Sequence, residues 1–256
     1  MEGTAEYSAQ RLSVAIAKLY RHKAEYCYRY GDYQQSIQIG KQALSIAKEV
    51  GDRGAEGEAY RILGWSYCEL GDYRQSTDCG KQALSIAKEV GDRRAEGEAY
   101  RILGLSYLWL GDYRQSTECG KQVQSIAKEM GDRIAEIEAY RILGRSYYGL
   151  RDYRQSTDCG KQALSIAKEV GDRRAEGNAY RILGWSYYWL RDYRQSTECG
   201  KQTLSIAKEM GDRRAEIEAY RILGRSYYGL GDYQQSNDSG KQALRIARSH
   251  NRGWRP

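Results

Sequence analysis

The chain has 256 residues, a formal net charge of +7 and a hydrophobic fraction of 41%. It contains 24 Tyr, no Phe and a single Pro, which is the last residue. No apolar run approaches the roughly 20 residues of a membrane span, and no signal-peptide core is present, so we expect a cytoplasmic protein that does not enter the membrane.

One unit of about 40 residues recurs along the chain, and a fixed period of this length is typical of a helical solenoid. The clearest copy runs from Gly71 to Leu110, and related copies extend from about Ala15 to Ser249. Because each unit of a solenoid buries its apolar face against its neighbours, such a chain needs no single large core. We therefore predict one array over residues 1–250 and a frayed basic tail at residues 251–256.

Each copy of the unit has the start and stop signals of two helices. Asp72 precedes Gln75 by three residues, which is the spacing of a capping box, and Gly91 suits the left-handed position that ends a helix. Asp92 then starts the next helix along the chain, which ends at Gly111. In the hairpins described below, the helix that begins after Asp92 is a first helix and the one that begins after Asp72 is a second helix. Connections of only a few residues predict that successive helices are antiparallel neighbours.

Taken in chain order, the first helix of the array is diverged and the others follow the repeat closely. It is predicted over Leu12 to Tyr30 and has the polar residues His22 and Lys23 where later repeats have Ile and Leu, as suits an exposed end. The predicted helix pairs cover about residues 12–50, 53–90, 93–130, 133–170, 173–210 and 213–249.

The residues inside each hairpin resemble those of the tetratricopeptide repeat. The aromatic, Leu-Gly and Tyr positions of that family's first helix are present as Tyr60, Leu63, Gly64 and Tyr67. The repeat length and the G-D-R turn are most similar to the long-repeat subclass of Pins-type polarity scaffolds. Two features depart from the family: the proline that ends its second helix is absent, and Gly80 stands where the family has a large side chain. The resemblance implies an all-α, right-handed α-solenoid of six antiparallel hairpins.

Residue types that would support catalysis or metal binding are scarce. The only two His lie at opposite ends of the chain, and the Gly-Lys pair of the C-G-K-Q segment falls inside a helix instead of in a phosphate-binding loop. One cysteine recurs per repeat, at Cys79, Cys119, Cys159 and Cys199, but adjacent helix axes are about 8–10 Å apart, too far for a disulfide or a shared zinc. We predict buried packing cysteines, no metal, no cofactor and no enzyme.

The net charge does not indicate a nucleic-acid-binding protein. Residues 1–110 sum to zero, and residues 111–256 carry the whole excess. Each repeat has about as many acidic as basic residues, so the sequence has no basic stripe of the kind that nucleic acids require.

One side of the first helices varies between repeats, while the packing positions stay constant. The same side also carries an arginine that does not vary, and we call this series of residues the arginine ladder: Arg61, Arg101, Arg141, Arg181 and Arg221. The resemblance implies that this side lines a concave groove, and exposed Trp, Tyr and Arg are the residue types of binding hot spots. Two alternatives stay open: the arginines pair with neighbouring Glu58-type residues, or the Trp side chains fill gaps between helices. The predicted peptide-binding groove consists of Arg61, Trp65, Arg101, Trp109, Arg141, Arg145, Tyr148, Arg181, Trp185, Tyr188, Trp189, Arg221, Arg225 and Tyr228.

These observations predict a protein-protein interaction scaffold, which is a monomer or a weak homo-oligomer. Its partner is expected to be a protein or peptide whose extended or helical segment is acidic and carries apolar anchors. A self-assembling structural array is the alternative, and an engineered repeat array without a partner is also compatible with the sequence.

Overall fold

The structure, a computed structural model, describes the backbone of residues 2–252 and the side-chain surroundings of residues 14–248. Within the described range the chain forms twelve α-helices and no strand, in two compact units. The first unit (Met1–Met130) contains α1 (Glu2–Arg29), α2 (Tyr33–Glu49), α3 (Arg53–Leu70), α4 (Tyr73–Val90), α5 (Arg93–Leu110) and α6 (Tyr113–Met130). The second unit (Gly131–Pro256) contains α7 (Arg133–Gly149), α8 (Tyr153–Val170), α9 (Arg173–Trp189), α10 (Tyr193–Glu209), α11 (Arg213–Gly229) and α12 (Tyr233–Arg252).

The predicted helix boundaries agree with these bounds except at the two ends of the array. Helix α1 begins at Glu2 and not at Leu12, because only Gly3, within its first turn, is a helix breaker in this stretch. Helix α12 continues through Arg252, so its last residues belong to the helix and not to a frayed tail. Residues 253–256 of the predicted tail lie outside the described residues.

The predicted capping residues stand at the starts and ends of the helices as expected. The Asp72 carboxylate accepts a hydrogen bond from the Gln75 backbone N–H at 3.2 Å, and Asp92 accepts one from the Ala95 N–H at 2.9 Å. Gly91 ends α4 in the left-handed conformation, at a φ of 71°. These contacts satisfy backbone groups that a helix end leaves without a partner, which is why each repeat turns sharply after its glycine.

Within each unit, every helix packs against the next one along the chain, and the first helix of a hairpin also contacts the first helix of the next. This is the packing of a helical-repeat solenoid, so the predicted α-solenoid of hairpins is confirmed.

Glycine residues inside the helices allow neighbouring repeats to approach closely. A Cβ atom at position 80 would lie 3.0 Å from Leu103 Cδ2 and 3.2 Å from Ile102 Cγ2, and one at position 64 would lie 3.0 Å from Ile102 Cγ2. The Ile-Leu pair of the next repeat thus occupies the space that a side chain at Gly80 would take. This contact explains why Gly80 departs from the family pattern.

Buried serines link neighbouring repeats by hydrogen bonds. Ser76 Oγ donates to the Gly64 carbonyl oxygen at 2.8 Å, and it lies 2.7 Å from Ser106 Oγ of the next repeat. Both side chains are fully buried. The same hydroxyl pairs recur at Ser36–Ser66, Ser156–Ser186 and Ser196–Ser226.

In the second to fifth repeats, an arginine at the start of the first helix forms an ion pair with a glutamate at the end of the second helix. In the fifth repeat, Arg173 contacts the carboxylate of Glu176 at 2.8 Å and that of Glu209, at the end of the second helix, at 2.7 Å. Glu176 is buried, so its charge is compensated by this arginine. The hairpin is therefore held at its open end by charges as well as by apolar packing.

Candidate functional site

Four members of the arginine ladder pair with a glutamate three residues earlier on the same helix. The spacing places both side chains on one helix face. One alternative stated from the sequence was that the ladder arginines pair with Glu58-type residues, and this is the case at these four positions. Each arginine and its glutamate together carry little net charge. The N···O distances are 2.9 Å for Arg61–Glu58, 2.5 Å for Arg101–Glu98, 2.6 Å for Arg141–Glu138 and 2.5 Å for Arg221–Glu218.

Arg181 differs from the other ladder arginines because Asn178 occupies the glutamate position. Its guanidinium donates to Asn178 Oδ1 at 3.2 Å. Burial lowers the pKa of Arg181, and Arg141 adds to the effect, although Glu218 and Asp212 oppose it. Burial also lowers the pKa of Arg61, but the charge and hydrogen bond of Glu58, together with the charges of Glu25 and Glu98, outweigh burial and raise this pKa overall. The difference between Arg61 and Arg181 indicates that the adjacent carboxylate stabilises the charged form of a ladder arginine.

Trp185 lies between arginines of the next repeat and a tyrosine of its own helix. Its ring centroid is 5.8 Å from Arg221 Cζ and 5.7 Å from Arg225 Cζ, distances at which a cation is attracted to a ring face. Tyr188 meets Trp185 edge to face at 6.2 Å and lies 5.9 Å from Arg225 Cζ. Trp185 is half-buried. It both fills space between helices and presents an edge to solvent.

Trp189 is the centre of a larger group of rings, which we call the aromatic cluster: Tyr148, Tyr153, Trp185, Tyr188 and Trp189. Its ring stacks on Tyr153 at 5.7 Å with an interplanar angle of 8°, and its indole N–H donates to Tyr148 Oη at 2.8 Å. Tyr188 contacts Trp189 edge to face at 5.4 Å. Trp189 nevertheless remains 47% exposed, so the cluster is a preformed apolar surface in contact with solvent.

A cleft of about 410 Å³ lies beside the aromatic cluster, and we call it the terminal cleft. Four predicted site residues line it: Tyr188, Arg221, Arg225 and Tyr228. Tyr228 is 65% exposed and packs edge to face on Tyr233 at 5.4 Å. With Tyr220, which also lines it, the cleft combines three tyrosines with two arginines, of which Arg221 pairs with Glu218.

The first unit contains smaller versions of the same contacts. Arg101 Cζ lies 5.4 Å from the ring centroid of Trp65, and Trp109, which is 53% exposed, stacks on Tyr73 at 5.8 Å. Leu105 and Leu108, at positions that vary between repeats, are buried in this unit. The variable side of the first helices is therefore exposed in some repeats and part of the packing in others.

The structure thus brings many of the predicted residues into direct contact inside the second unit. The aromatic cluster and the terminal cleft include Tyr148, Trp185, Tyr188, Trp189, Arg221, Arg225 and Tyr228. Arg61 and Arg141 are engaged mainly with their own glutamates, and Arg145 is partly buried.

Two kinds of residue that take part in the contacts of this candidate site were not predicted from the sequence. The first is the tyrosine that begins each second helix, such as Tyr73, Tyr153 and Tyr193, on which the rings of the preceding or following helix pack. The second is Asn178, which breaks the run of glutamates at its position. Both are visible in the aligned repeats: the tyrosine as an unchanging aromatic beside a variable site, and Asn178 as a single loss of charge.

The repeat-spaced cysteines are packing residues, as predicted. Cys79, Cys119, Cys159 and Cys199 are each 6–7% exposed. Burial raises the pKa of the Cys79 thiol to about 11 and the pKa of the other three to about 12, and neighbouring carboxylates add to each shift. None of the six cysteines, all of which lie within the described residues, forms a disulfide. In the described part of the chain, no group of His, Cys, Asp and Glu side chains is arranged to hold a metal ion.

These features define an all-α helical-repeat protein with an aromatic and cationic surface on its second unit. The family model described as tetratricopeptide repeat matches residues 15–89, 96–169 and 175–249. The chain therefore belongs to the tetratricopeptide repeat family. Arrays of this family are typically non-catalytic and act as protein-interaction scaffolds.

Solved structures with the same fold were also found, and three of them illustrate the similarity. BtubC (BKLC) from P. vanneervenii is 21% identical with a TM-score of 0.72, and the match covers 88% of this chain and 94% of that one. A putative kinesin light chain from Podosopora anserina with nearly identical TPR-like repeats is 15% identical, with a TM-score of 0.62 and coverage of 76% and 95%. A Rap protein complexed with Competence and Sporulation Factor is 16% identical, with a TM-score of 0.66 and coverage of 91% and 75%. At this identity the similarity establishes the fold alone.

A search for related curated proteins and a search for membrane-spanning helices both gave a negative result. No curated protein matched the sequence. Among the described residues, none of the helices combines the length and the apolar character of a membrane span.

Proposed function

We propose that the chain is a protein-interaction scaffold whose second unit binds an acidic segment of a partner protein. The observation that carries the proposal is the terminal cleft, with Arg221 and Arg225 beside Tyr188 and Tyr228. Arginine and aromatic side chains are enriched among the residues that contribute most to binding energy. An extended or helical peptide with apolar anchors is the kind of ligand that such a surface fits.

The acidic character of the proposed ligand rests on the distribution of charge. Counted over the sequence, residues 1–130 sum to zero and residues 131–256 carry the entire excess of +7. Exposed cations on one unit attract a negatively charged segment during encounter, and salt screens that attraction. The Rap protein of the same fold is itself complexed with Competence and Sporulation Factor, which supports a binding role for an array of this kind.

A capture experiment with paired variants tests the proposal. Proteins retained from lysate by the wild-type chain are identified by mass spectrometry, and the affinity of the main partner is then measured. Replacing Trp185 and Trp189 by Ala is expected to weaken this affinity by about 2 kcal/mol, which is roughly 30-fold, because both rings belong to the preformed apolar surface. Reversing Arg221 and Arg225 to Glu is expected to abolish binding at low salt.

The control for this experiment reverses exposed cations elsewhere in the same unit. Arg154 and Lys161 lie on α8 and are exposed. Their change to Glu alters the net charge by the same amount and should leave binding intact. Equal effects from both pairs of reversals, or no effect of the Trp variants, would contradict the proposed surface. Sedimentation at several concentrations shows whether the captured partner is a second copy of the chain.

A further inference from the structure

One of the five repeats that carry a ladder arginine lacks the carboxylate that the other four place beside it. The residue three positions before the arginine is Glu58, Glu98, Glu138 and Glu218 in four repeats, and Asn178 in the fifth. In those four repeats the carboxylate and guanidinium are 2.5–2.9 Å apart. The helix geometry at this position therefore suits a carboxylate.

Asn178 does not replace the missing charge. Its amide oxygen accepts one hydrogen bond from Arg181 at 3.2 Å, which leaves the positive charge uncompensated on this helix. Asparagine is also one methylene shorter than glutamate, so space opens next to the guanidinium. No ion pair to Arg181 is formed within the described part of the chain.

The acidic residues nearest to Arg181 are already engaged elsewhere. Glu218 on the next first helix pairs with Arg221 at 2.5 Å. Asp212 caps α11 by accepting from the Ala215 N–H at 3.0 Å. Arg141, on the preceding first helix, adds a like charge. Arg181 is consequently a partly buried cation whose surroundings do not neutralise it.

A cleft of about 170 Å³ opens at this arginine, and we call it the Arg181 cleft. Its lining includes the charged residues Arg174, Arg181 and Asp212, the polar residues Asn178 and Thr203, and apolar residues such as Ile206 and Ala207. The corresponding cleft of the second repeat contains Glu58 beside Arg61 and has Gly54 at the position of Arg174. Two arginines line each of the two clefts, but the Arg181 cleft has one acid fewer, because Asn178 stands in the place of Glu58.

We infer that Arg181 is the carboxylate receptor of the peptide-binding surface. An Asp or Glu side chain of the bound segment would take the place that an internal glutamate takes in the other four repeats. The guanidinium can then form charge-assisted, bidentate hydrogen bonds with that carboxylate. Arg181 and Trp185 are four residues apart on α9, so they share one face of the helix and one ligand can reach both. The inference rests on the proposed function and adds a specificity-determining residue to it.

The sharpest test supplies the missing carboxylate from the protein itself. Asn178→Glu restores the residue found in the other repeats, so the fold is preserved, and its carboxylate competes with the ligand for Arg181. Asn178→Gln adds the same methylene without charge and serves as the matched control. The probe is a phage-displayed library of random dodecapeptides, selected separately on the wild-type chain and on both variants.

The wild type and Asn178→Gln are expected to enrich peptides that combine an acidic residue with apolar anchors. Asn178→Glu is expected to keep the apolar preference and lose the acidic one. For an individual selected peptide, fluorescence anisotropy should give an affinity about tenfold lower for Asn178→Glu than for Asn178→Gln, as for the loss of a hydrogen bond between charged groups.

The outcomes separate this inference from the proposed function. Equal acidic enrichment by the two variants, or no acidic enrichment by the wild type, overturns the role of Arg181. If the apolar preference persists in that case and depends on Trp185 and Trp189, the proposed function stands. No enrichment of any kind by the wild-type chain would overturn both.

Discussion

Two arginines adopt a backbone conformation that the other repeats reserve for glycine. Arg151 and Arg191 have φ values of 62° and 63°, whereas Gly111 and Gly231, at equivalent turns, have 80°. A side chain with a Cβ atom costs about 1–2 kcal/mol in the left-handed region. Both arginines are exposed, so little burial is available to offset that cost.

Replacing Arg151 and Arg191 by glycine should therefore stabilise the protein. We expect a gain of roughly 1 kcal/mol per site, reduced by the larger entropy of glycine in the unfolded chain. Urea unfolding monitored by circular dichroism measures the change. The reverse substitution Gly231→Arg should destabilise by a similar amount. A loss of stability in the glycine variants would mean that these arginines make contacts that offset the strain.

At the residue scale, the sequence predicted which side chains vary but only part of what they do. The spacing of Arg141 and Glu138 allowed an ion pair, and the structure contains it. The stack of Trp189 on Tyr153 joins residues of different helices, and its geometry depends on how two hairpins are set against each other. A pattern within one helix does not contain that information, which is why the tyrosines were missed.

At the element scale, the helices and their turns followed from local chemistry. Asp caps, left-handed glycines and apolar spacing each act within a few residues, so the boundaries between Tyr33 and Gly229 could be predicted closely. Helix α1 was predicted too short, because the repeat pattern fades there while helix propensity does not. The close approach at Gly80 could be identified as a departure but not explained, since its cause lies on the next repeat.

The glycines inside the second helices provide a matched pair of sites for testing repeat packing. A Cβ atom at Gly160 would lie 2.9 Å from both Leu183 Cδ2 and Leu183 Cγ, whereas one at Gly240 would meet nothing within 4 Å. Gly160→Ala should destabilise the protein, because overpacking costs about 1–3 kcal/mol and the gain in helix propensity is at most about 1 kcal/mol. Gly240→Ala should stabilise it by about 0.5–1 kcal/mol.

Chemical denaturation of the two alanine variants under identical conditions measures the change in the free energy of unfolding at each site. A combined variant with Gly160→Ala and Leu183→Ala would show whether Leu183 is the obstructing side chain, because the penalty of the first change should shrink in that background. Similar stability changes at positions 160 and 240 would contradict close packing between repeats.

At the scale of the whole molecule, stability is distributed over equivalent junctions. Among the described residues of each unit, a helix contacts its neighbours along the chain, and a first helix also contacts the next first helix, so one hairpin can be removed without exposing a distant core. Deleting residues 173–212, which joins Asp172 to Arg213, should give a chain that still folds cooperatively but is less stable. Far-UV circular dichroism and urea unfolding measure helicity per residue and the midpoint.

A deletion of half a hairpin is the control. Removing residues 193–212 leaves the first helix α9 without its second helix and disturbs the alternation along the array, so helicity per residue should fall. If both deletions behave alike, the hairpin is not the unit of stability.

The buried serine pairs have a consequence for how the chain recognises its own neighbours. Every junction in which they occur uses the same hydroxyl contact, with Oγ···Oγ distances of 2.6–2.8 Å. This contact therefore does not determine which hairpin packs next to a given one. Order along the array is then enforced by the covalent chain and by the shortness of its turns. When chains are concentrated during refolding, a hairpin of one molecule can satisfy the junction of another equally well. Interchangeable junctions thus make the array easy to extend or shorten, and they also make it prone to intermolecular exchange.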